Sequence, residues 1–166
     1  MSSGNLNNIK HLNKNKKFLF IKHDILEPIN STILIENIWH LASPASPNLY
    51  QNDPIRTIRV NYEGTFNLLE LAKSHNSKIL FASTSEIYGD PDKDNIPTNE
   101  NYRGYVSCTG PRACYDESKR FGETLSIVFR DKYGLPISIV RPFNNYGPGM
   151  KIEDKRLPAD LAKCIL

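Results

Sequence analysis

Short apolar runs alternate along this chain with long stretches of helical periodicity, and that alternation limits the possible folds more than any other feature. Phe18-Leu19-Phe20-Ile21-Lys22-His23 and Asn37-Ile38-Trp39-His40-Leu41-Ala42 have strand length and end where polar or small residues begin, as buried parallel strands do. Lys78 to Ser83 and Ile137 to Arg141 repeat the pattern. Asp53-Pro54 reads as an N-cap followed by proline at the first helical position. Ile55, Ile58, Tyr62, Phe66 and Leu69 then recur at three- and four-residue steps, which predicts an amphipathic helix to about His75. A second helix is expected from about Cys114 to Tyr133, with Phe121, Leu125 and Val128 on one face and Gly134 as its stop. Leu157 onward opens a further helix. Strands separated by helices imply an α/β fold, a doubly wound and mostly parallel sheet with right-handed crossovers.

Composition excludes several classes. A chain of 166 residues can bury one core. No apolar run approaches the ~20 residues of a membrane span, and the first eight residues, Met1 to Asn8, lack the basic start and apolar region of a secretory signal. Three cysteines, Cys108, Cys114 and Cys164, are odd in number and without CxxC spacing. They argue for reduced thiols in a cytoplasmic setting, against a disulfide scaffold, and against a metal site. A net charge of +3 is too mild to predict a nucleic-acid partner. The basic cluster Lys10, His11, Lys14, Lys16 and Lys17 is a solvated surface, since nothing aromatic interleaves it. Trp39 is expected in the core, His23 and His40 as ordinary strand residues, and Cys114 as a packing residue.

In an open parallel sheet, ligands bind beyond the carboxyl ends of the strands. Ser43, Thr84 and Asn144 each fall just after a predicted strand, and the proline-containing stretch from Gly89 to Pro111 is a long surface loop beside them. Tyr115 and Lys119 lie four apart on the second helix, hence on one face. A tyrosine hydroxyl titrates near pH ~10, and a nearby ammonium lowers that value, so the pair is a workable base for an alcohol proton.

Five stretches carry a resemblance: HLASPASPNLY (40–50), VNYEGTFNLLELAK (60–73), FASTSEIYGDP (81–91), GPRACYDESKR (110–120) and RPFNNYGPGM (141–150). In this order the chain resembles the extended short-chain dehydrogenase/reductases that modify nucleotide sugars, and STSE with GPRACYDE points to the branch that decarboxylates UDP-glucuronate. The resemblance implies a Rossmann-like domain with NAD as cofactor. It implies Tyr115 as base and Lys119 as its partner, which also holds the nicotinamide ribose. Thr84 would bond the sugar hydroxyl being oxidised, with Ser85 beside it and Glu86 near the sugar carboxylate. Asp24 and Ile25 would contact the adenine, Leu41, Ala42 and Ser43 would line the dinucleotide, and Arg141 and Asn144 would help bind the nucleotide sugar. A homodimer through helices 54–75 and 114–133 is implied as well, with no membrane partner.

The sequence contains no G-x-x-G-x-x-G after a strand, the loop that holds a dinucleotide pyrophosphate. Residues 1–150 therefore read as a partial NAD-binding domain that starts after its first strand, and 151–166 as the beginning of a substrate region. Marginal stability or rescue by dimerisation, and weak NAD affinity, are the expectations. A 4-epimerase or 4,6-dehydratase, and a non-catalytic remnant that pairs with an intact relative, stand as alternatives to the decarboxylase.

Overall fold

A computed structural model describes residues 4–154 and 156–165. Three strands, β1 (Asn37–His40), β2 (Lys78–Ala82) and β3 (Ile137–Val140), form one parallel sheet in chain order. Ile38 pairs with Ile79 and Trp39 with Leu80, while Phe81 pairs with Ile139. Each crossover carries a helix: Pro54 to His75 joins β1 to β2, and α4 (Ala113–Tyr133) joins β2 to β3. A short α1 (Pro47–Asn52) precedes the first crossover helix, and α5 (Leu157–Ile165) follows β3.

The first crossover helix starts as expected. Asp53 caps it by accepting from the Arg56 backbone N–H at 3.0 Å, and Pro54 fills the first turn, where no donor is needed. It is not uniform. After α2 (Pro54–Arg59) the backbone widens into a π turn over Val60–Gly64 and resumes as α3 (Thr65–His75). Thr57, Asn61, Thr65 and Leu69, four apart at each step, are all buried. Asn76 and Gly134 end the two long helices in the left-handed conformation, which frees the chain to turn into the next strand.

The core lies between these helices and one face of the sheet. Leu68, Leu69, Leu71 and Ala72 of α3 and Phe129 of α4 meet Ile79 and Leu135, with Ile38 and Ile137 packed against them. α4 can lie close to β2 because residue 122 is glycine: a Cβ there would stand 2.6 Å from the Phe81 ring.

Three expectations need correction. Phe18 to His23 form no strand, and Leu19 and Ile21 are exposed; with no described strand beside β1 on that side, the segment has no ladder to join. Trp39 is 71% exposed rather than core, because alternation along β1 sends it to the sheet face opposite α3 and α4, where Ser138 and Val140 are also exposed. On the helices the predicted apolar stripes divide: Leu69 lies in the core and Leu125 packs against it, while the other members point outward. Ile55, Ile58, Tyr62 and Phe66 are exposed, as are Phe121 and Val128, whereas the inward faces carry Thr57, Asn61, Thr65, Ser118, Gly122 and Ser126. Small and polar residues permit the close helix–sheet approach, so the larger apolar groups are left on the other side.

Candidate active site

The carboxyl ends of β2 and β3 open onto a cavity of about 350 Å³. Thr84, Ser85 and Glu86 line it from a one-turn 3-10 helix directly after β2, Tyr115 and Lys119 from α4, Ser43 and Leu41 from the loop after β1, and Asn144 from the loop after β3. Eight of the expected residues therefore converge. The Thr84 hydroxyl caps the 3-10 turn by accepting from the Glu86 N–H at 3.3 Å, which fixes Ser85 and Glu86 at the rim.

Lys119 is almost fully buried. Its Nζ donates to the Ala82 carbonyl at 2.7 Å and stands 5.1 Å from the Phe81 ring centroid and 5.9 Å from that of Tyr115. Burial pulls its pKa down to about 8. Tyr115 is buried too, and burial pushes its phenol above the ordinary value; the Thr84 hydroxyl beside it offsets only part of that. The lowering expected from a nearby ammonium does not prevail in this structure, where burial is the largest influence on Tyr115. The chain's own groups leave Tyr115 protonated at neutral pH, so a further positive charge must arrive before it can serve as a base.

Beneath the pair runs a buried polar chain. His40 Nε2 lies 2.9 Å from Thr65 Oγ1, which itself donates to the Asn61 carbonyl at 2.6 Å. The hydroxyl has one hydrogen, so Nε2 must carry the histidine proton. Asn61 Nδ2 donates to Ser118 Oγ at 2.9 Å, tying the π turn to α4 one residue before Lys119. Desolvation, with the Lys119 charge adding to it, lowers the His40 pKa to about 3. Neutral His40 is thus a fixed dipole under the lysine, not an ordinary strand residue. His23 lies outside any strand, with its Nε2 2.8 Å from the Glu27 carbonyl.

Sequence reasoning missed three residues of this cavity and its wall. Arg112 forms an ion pair with Glu86. Asp116 follows Tyr115 on α4, and burial raises its carboxyl to about 6. Tyr50 of α1 stacks on Tyr115, with ring centroids 4.9 Å apart and planes 11° from parallel. The spacing of Arg112 was legible, because it stands one turn before Tyr115. Tyr50 was not, since it meets Tyr115 only through the tertiary fold. Cys114 packs as expected, half-buried with its thiol 3.6 Å from the Tyr50 carbonyl.

A second cavity of about 800 Å³ is lined by Asp24, Ile25, Leu41, Ala42 and Ser43, with Arg56 and Thr57. It shares Leu41 and Ser43 with the first, so the two cavities adjoin. Asp24 is partly engaged: its Oδ2 accepts from Arg56 at 2.6 Å and its Oδ1 from the Leu26 N–H at 3.2 Å, and the Arg56 bond holds its carboxyl below the usual range.

Arg141 stands apart from both cavities. Its Nε and Nη2 grip Glu123 at 2.9 and 2.7 Å, and Nη1 donates to the Tyr88 hydroxyl and the Glu100 carbonyl. The side chain spends its donors fastening the 89–111 loop to α4. Two glycines close the neck of that loop, where a Cβ on Gly89 or Gly104 would meet backbone at 2.1 and 1.8 Å. Among the described residues no cluster of His, Cys, Asp and Glu suits a metal ion, and no helix is long and apolar enough to cross a membrane.

Comparison with known proteins matches the chain over residues 2–166 to the NAD dependent epimerase/dehydratase family. UDP-glucuronic acid decarboxylase 1 of Xenopus tropicalis is 43% identical over 93% of this chain and 36% of its own length, and UDP-glucuronic acid decarboxylase 6 of Arabidopsis thaliana 44% over 93% and 44%. The chain thus spans less than half of these relatives. Among solved structures, UDP-N-acetylglucosamine 4-epimerase from Methanobrevibacter ruminantium M1, in complex with UDP-N-acetylmuramic acid, superposes with a TM-score of 0.84 at 26% identity over 99% of this chain and 52% of that one. UDP-glucuronic acid 4-epimerase from Bacillus cereus, in complex with NAD, gives 0.71 at 31% identity over 88% and 45%.

Proposed function

The chain belongs to the NAD dependent epimerase/dehydratase family, and on that premise we propose that it carries the catalytic half of an NAD-dependent UDP-glucuronate decarboxylase. One observation supports this most: Tyr115, Lys119, Thr84, Ser85 and Glu86 face one cavity that continues, through Leu41 and Ser43, into a second pocket with Asp24 and Ile25. The 43–44% identity to decarboxylases, against 26–31% for these epimerase structures, favours decarboxylation over 4-epimerisation or 4,6-dehydration.

The linings of the two cavities suit the ends of NAD, Asp24 and Ile25 its adenine and Lys119 its nicotinamide ribose, while the sequence has no glycine loop for its pyrophosphate; when bound it would supply a reversible hydride acceptor and a positive ring beside the base. Tyr115 takes the proton of the 4-hydroxyl, and Thr84 holds that oxygen. Ketone formation at C4 would make the C5 carboxylate part of a β-keto acid, which loses carbon dioxide as its electrons move into the carbonyl; a proton taken up at C5 and return of the hydride to C4 would then complete the turnover. Glu86 is proposed to face the sugar carboxylate, with the Arg112 that pairs with it at hand to compensate the combined negative charge. Asn144, which lines the cavity after β3, is proposed to bind the nucleotide sugar. We further propose residues 151–166 as the start of a substrate-binding region, a homodimer through the outer faces of the long helices, and a reducing cytoplasmic compartment, in keeping with three free thiols.

The test is carbon dioxide release from UDP-glucuronate with NAD, followed for the chain and for Tyr115→Phe. Release by the chain, lost by ~10³-fold or more in the variant, is expected. Turnover without carbon dioxide would replace decarboxylation with epimerisation or dehydration. No turnover by a folded chain that still forms heterodimers with a full-length relative would favour the non-catalytic alternative.

A further inference from the structure

We infer that Arg141 is a positioning residue: it holds the turn bearing Thr84 and Glu86 in register with the helix bearing Tyr115 and Lys119, while lining neither cavity itself. The main chain beside Arg141 grips one end of that turn. Ser83 N–H donates to the Val140 carbonyl at 2.8 Å, and Ser85 N–H donates to the Pro142 carbonyl at 3.1 Å. The two neighbours of Arg141 thus fasten the chain where β2 passes into the 3-10 turn Ser85–Tyr88.

The side chain grips the other end. Nη1 donates to the hydroxyl of Tyr88, the last residue of the turn, at 3.1 Å, and the guanidinium carbon stands 5.1 Å from the centroid of its ring. Tyr88 is buried, and Gly89 after it turns the chain away with a φ of 61°. A 3-10 turn of this length closes few hydrogen bonds of its own, so its bearing is set by whatever fastens its ends. The same guanidinium holds both carboxylate oxygens of Glu123 through Nε and Nη2, one helical turn after Lys119. Lys119 in turn donates to the Ala82 carbonyl, so α4 is tied to the end of the sheet at two successive turns. The Glu123 side chain is only 13% exposed, which shields the fork from water. A planar guanidinium can meet a carboxylate with two N–H groups while a third faces a phenol; an ammonium, with its donors on one atom, cannot span both. That Thr84 and Glu86 meet a sugar rests on the preceding proposal, whereas the fastening of the turn does not.

The experiment compares Arg141→Lys and Tyr88→Phe with the parent in the full 166-residue chain. Residue-by-residue amide hydrogen exchange is one readout, and carbon dioxide release from UDP-glucuronate with NAD is the other. In both variants the amides of Glu86 and Gly89, bonded to Thr84 Oγ1 and to the Glu86 carbonyl, are expected to exchange ~10-fold faster. Those of Ser77 and Ile79, bonded to the Ala72 and Pro136 carbonyls at the other end of β2, are expected to keep the parent's rates. The turn aligns reacting groups rather than adding affinity, so kcat is expected to fall by ~10- to 100-fold with KM unchanged. Unaltered exchange at Glu86 and Gly89 in both variants would overturn the inference. Equal acceleration throughout β2 would overturn it too, as the mark of general loosening, and so would a parental kcat in a variant whose turn exchanges faster. If Arg141→Lys does not fold, Tyr88→Phe decides alone. A parent chain that releases no carbon dioxide removes the functional reading, while the exchange rates still decide whether Arg141 holds the turn.

Discussion

His40 and Asp116 illustrate how single residues set the acid behaviour of this chain. His40 titrates near 6.5 when unfolded and about 3 when folded, so between those values the unfolded chain binds a proton that the folded one refuses. Stability from this residue alone therefore falls as pH drops through that window, by about 1.4 kcal/mol per pH unit. Asp116 acts in the opposite sense. Its folded value of about 6 lies above its ordinary 3.8, so the folded chain takes up a proton first and gains stability as pH falls between them. Asp116→Asn should expose the histidine's effect, and chemical denaturation from pH 7 to 4 is expected to show a steeper loss in the variant than in the parent. Equal slopes would deny one of the two shifts. Tyr115, Lys119, Thr84 and Glu86 were legible at this scale because the signal was local spacing and a motif. The tautomer of His40 was not, since it depends on Thr65, twenty-five positions away.

Elements were legible where periodicity and caps agreed. Asp53-Pro54, Gly134 and the runs at 78–82 and 137–140 lie within a residue or two of the expected boundaries. The inward face of each helix was only partly legible: Leu69 and Leu125 turn to the core as expected, but the other apolar members turn out because close approach mattered more than hydrophobicity. Gly122 tests that point. Alanine is worth about 1 kcal/mol over glycine in a helix interior, yet its methyl would press on the buried Phe81 ring. Overpacking costs about 1–3 kcal/mol, so Gly122→Ala is expected to melt lower despite its better propensity. A higher melting temperature would mean that Phe81 can give way. The loop at 89–111 was legible as a loop, but not its fastening: Arg141 reaches Glu123 and Glu100 only after β3 and α4 have docked.

At the scale of the molecule, the three-stranded sheet has one covered face and one carrying exposed Trp39 and Val140, and the two long helices are apolar outward as well as packed inward. Tyr62 and Phe121 already meet edge to face at 5.4 Å across the outer groove, so α4 and the first crossover helix present one continuous surface. A homodimer on that surface predicts that Tyr62→Glu sediments as a monomer at concentrations where the parent is a dimer, with unchanged helical content. A monomeric parent would sink it. The π turn at 60–64 bears on both sides of this arrangement. In an unbroken α-helix, steps of four advance about 40° each, so Thr57 and Leu69 would differ by about 120° in bearing. One supernumerary residue absorbs about 100° of that drift and keeps inner and outer rows straight along the whole rod. Deleting one residue from 60 to 64 would therefore close the bulge into regular α-helix and leave Thr65 beside His40, whereas forcing the present length into an unbulged helix would turn it away like a screw driven a quarter-turn too far.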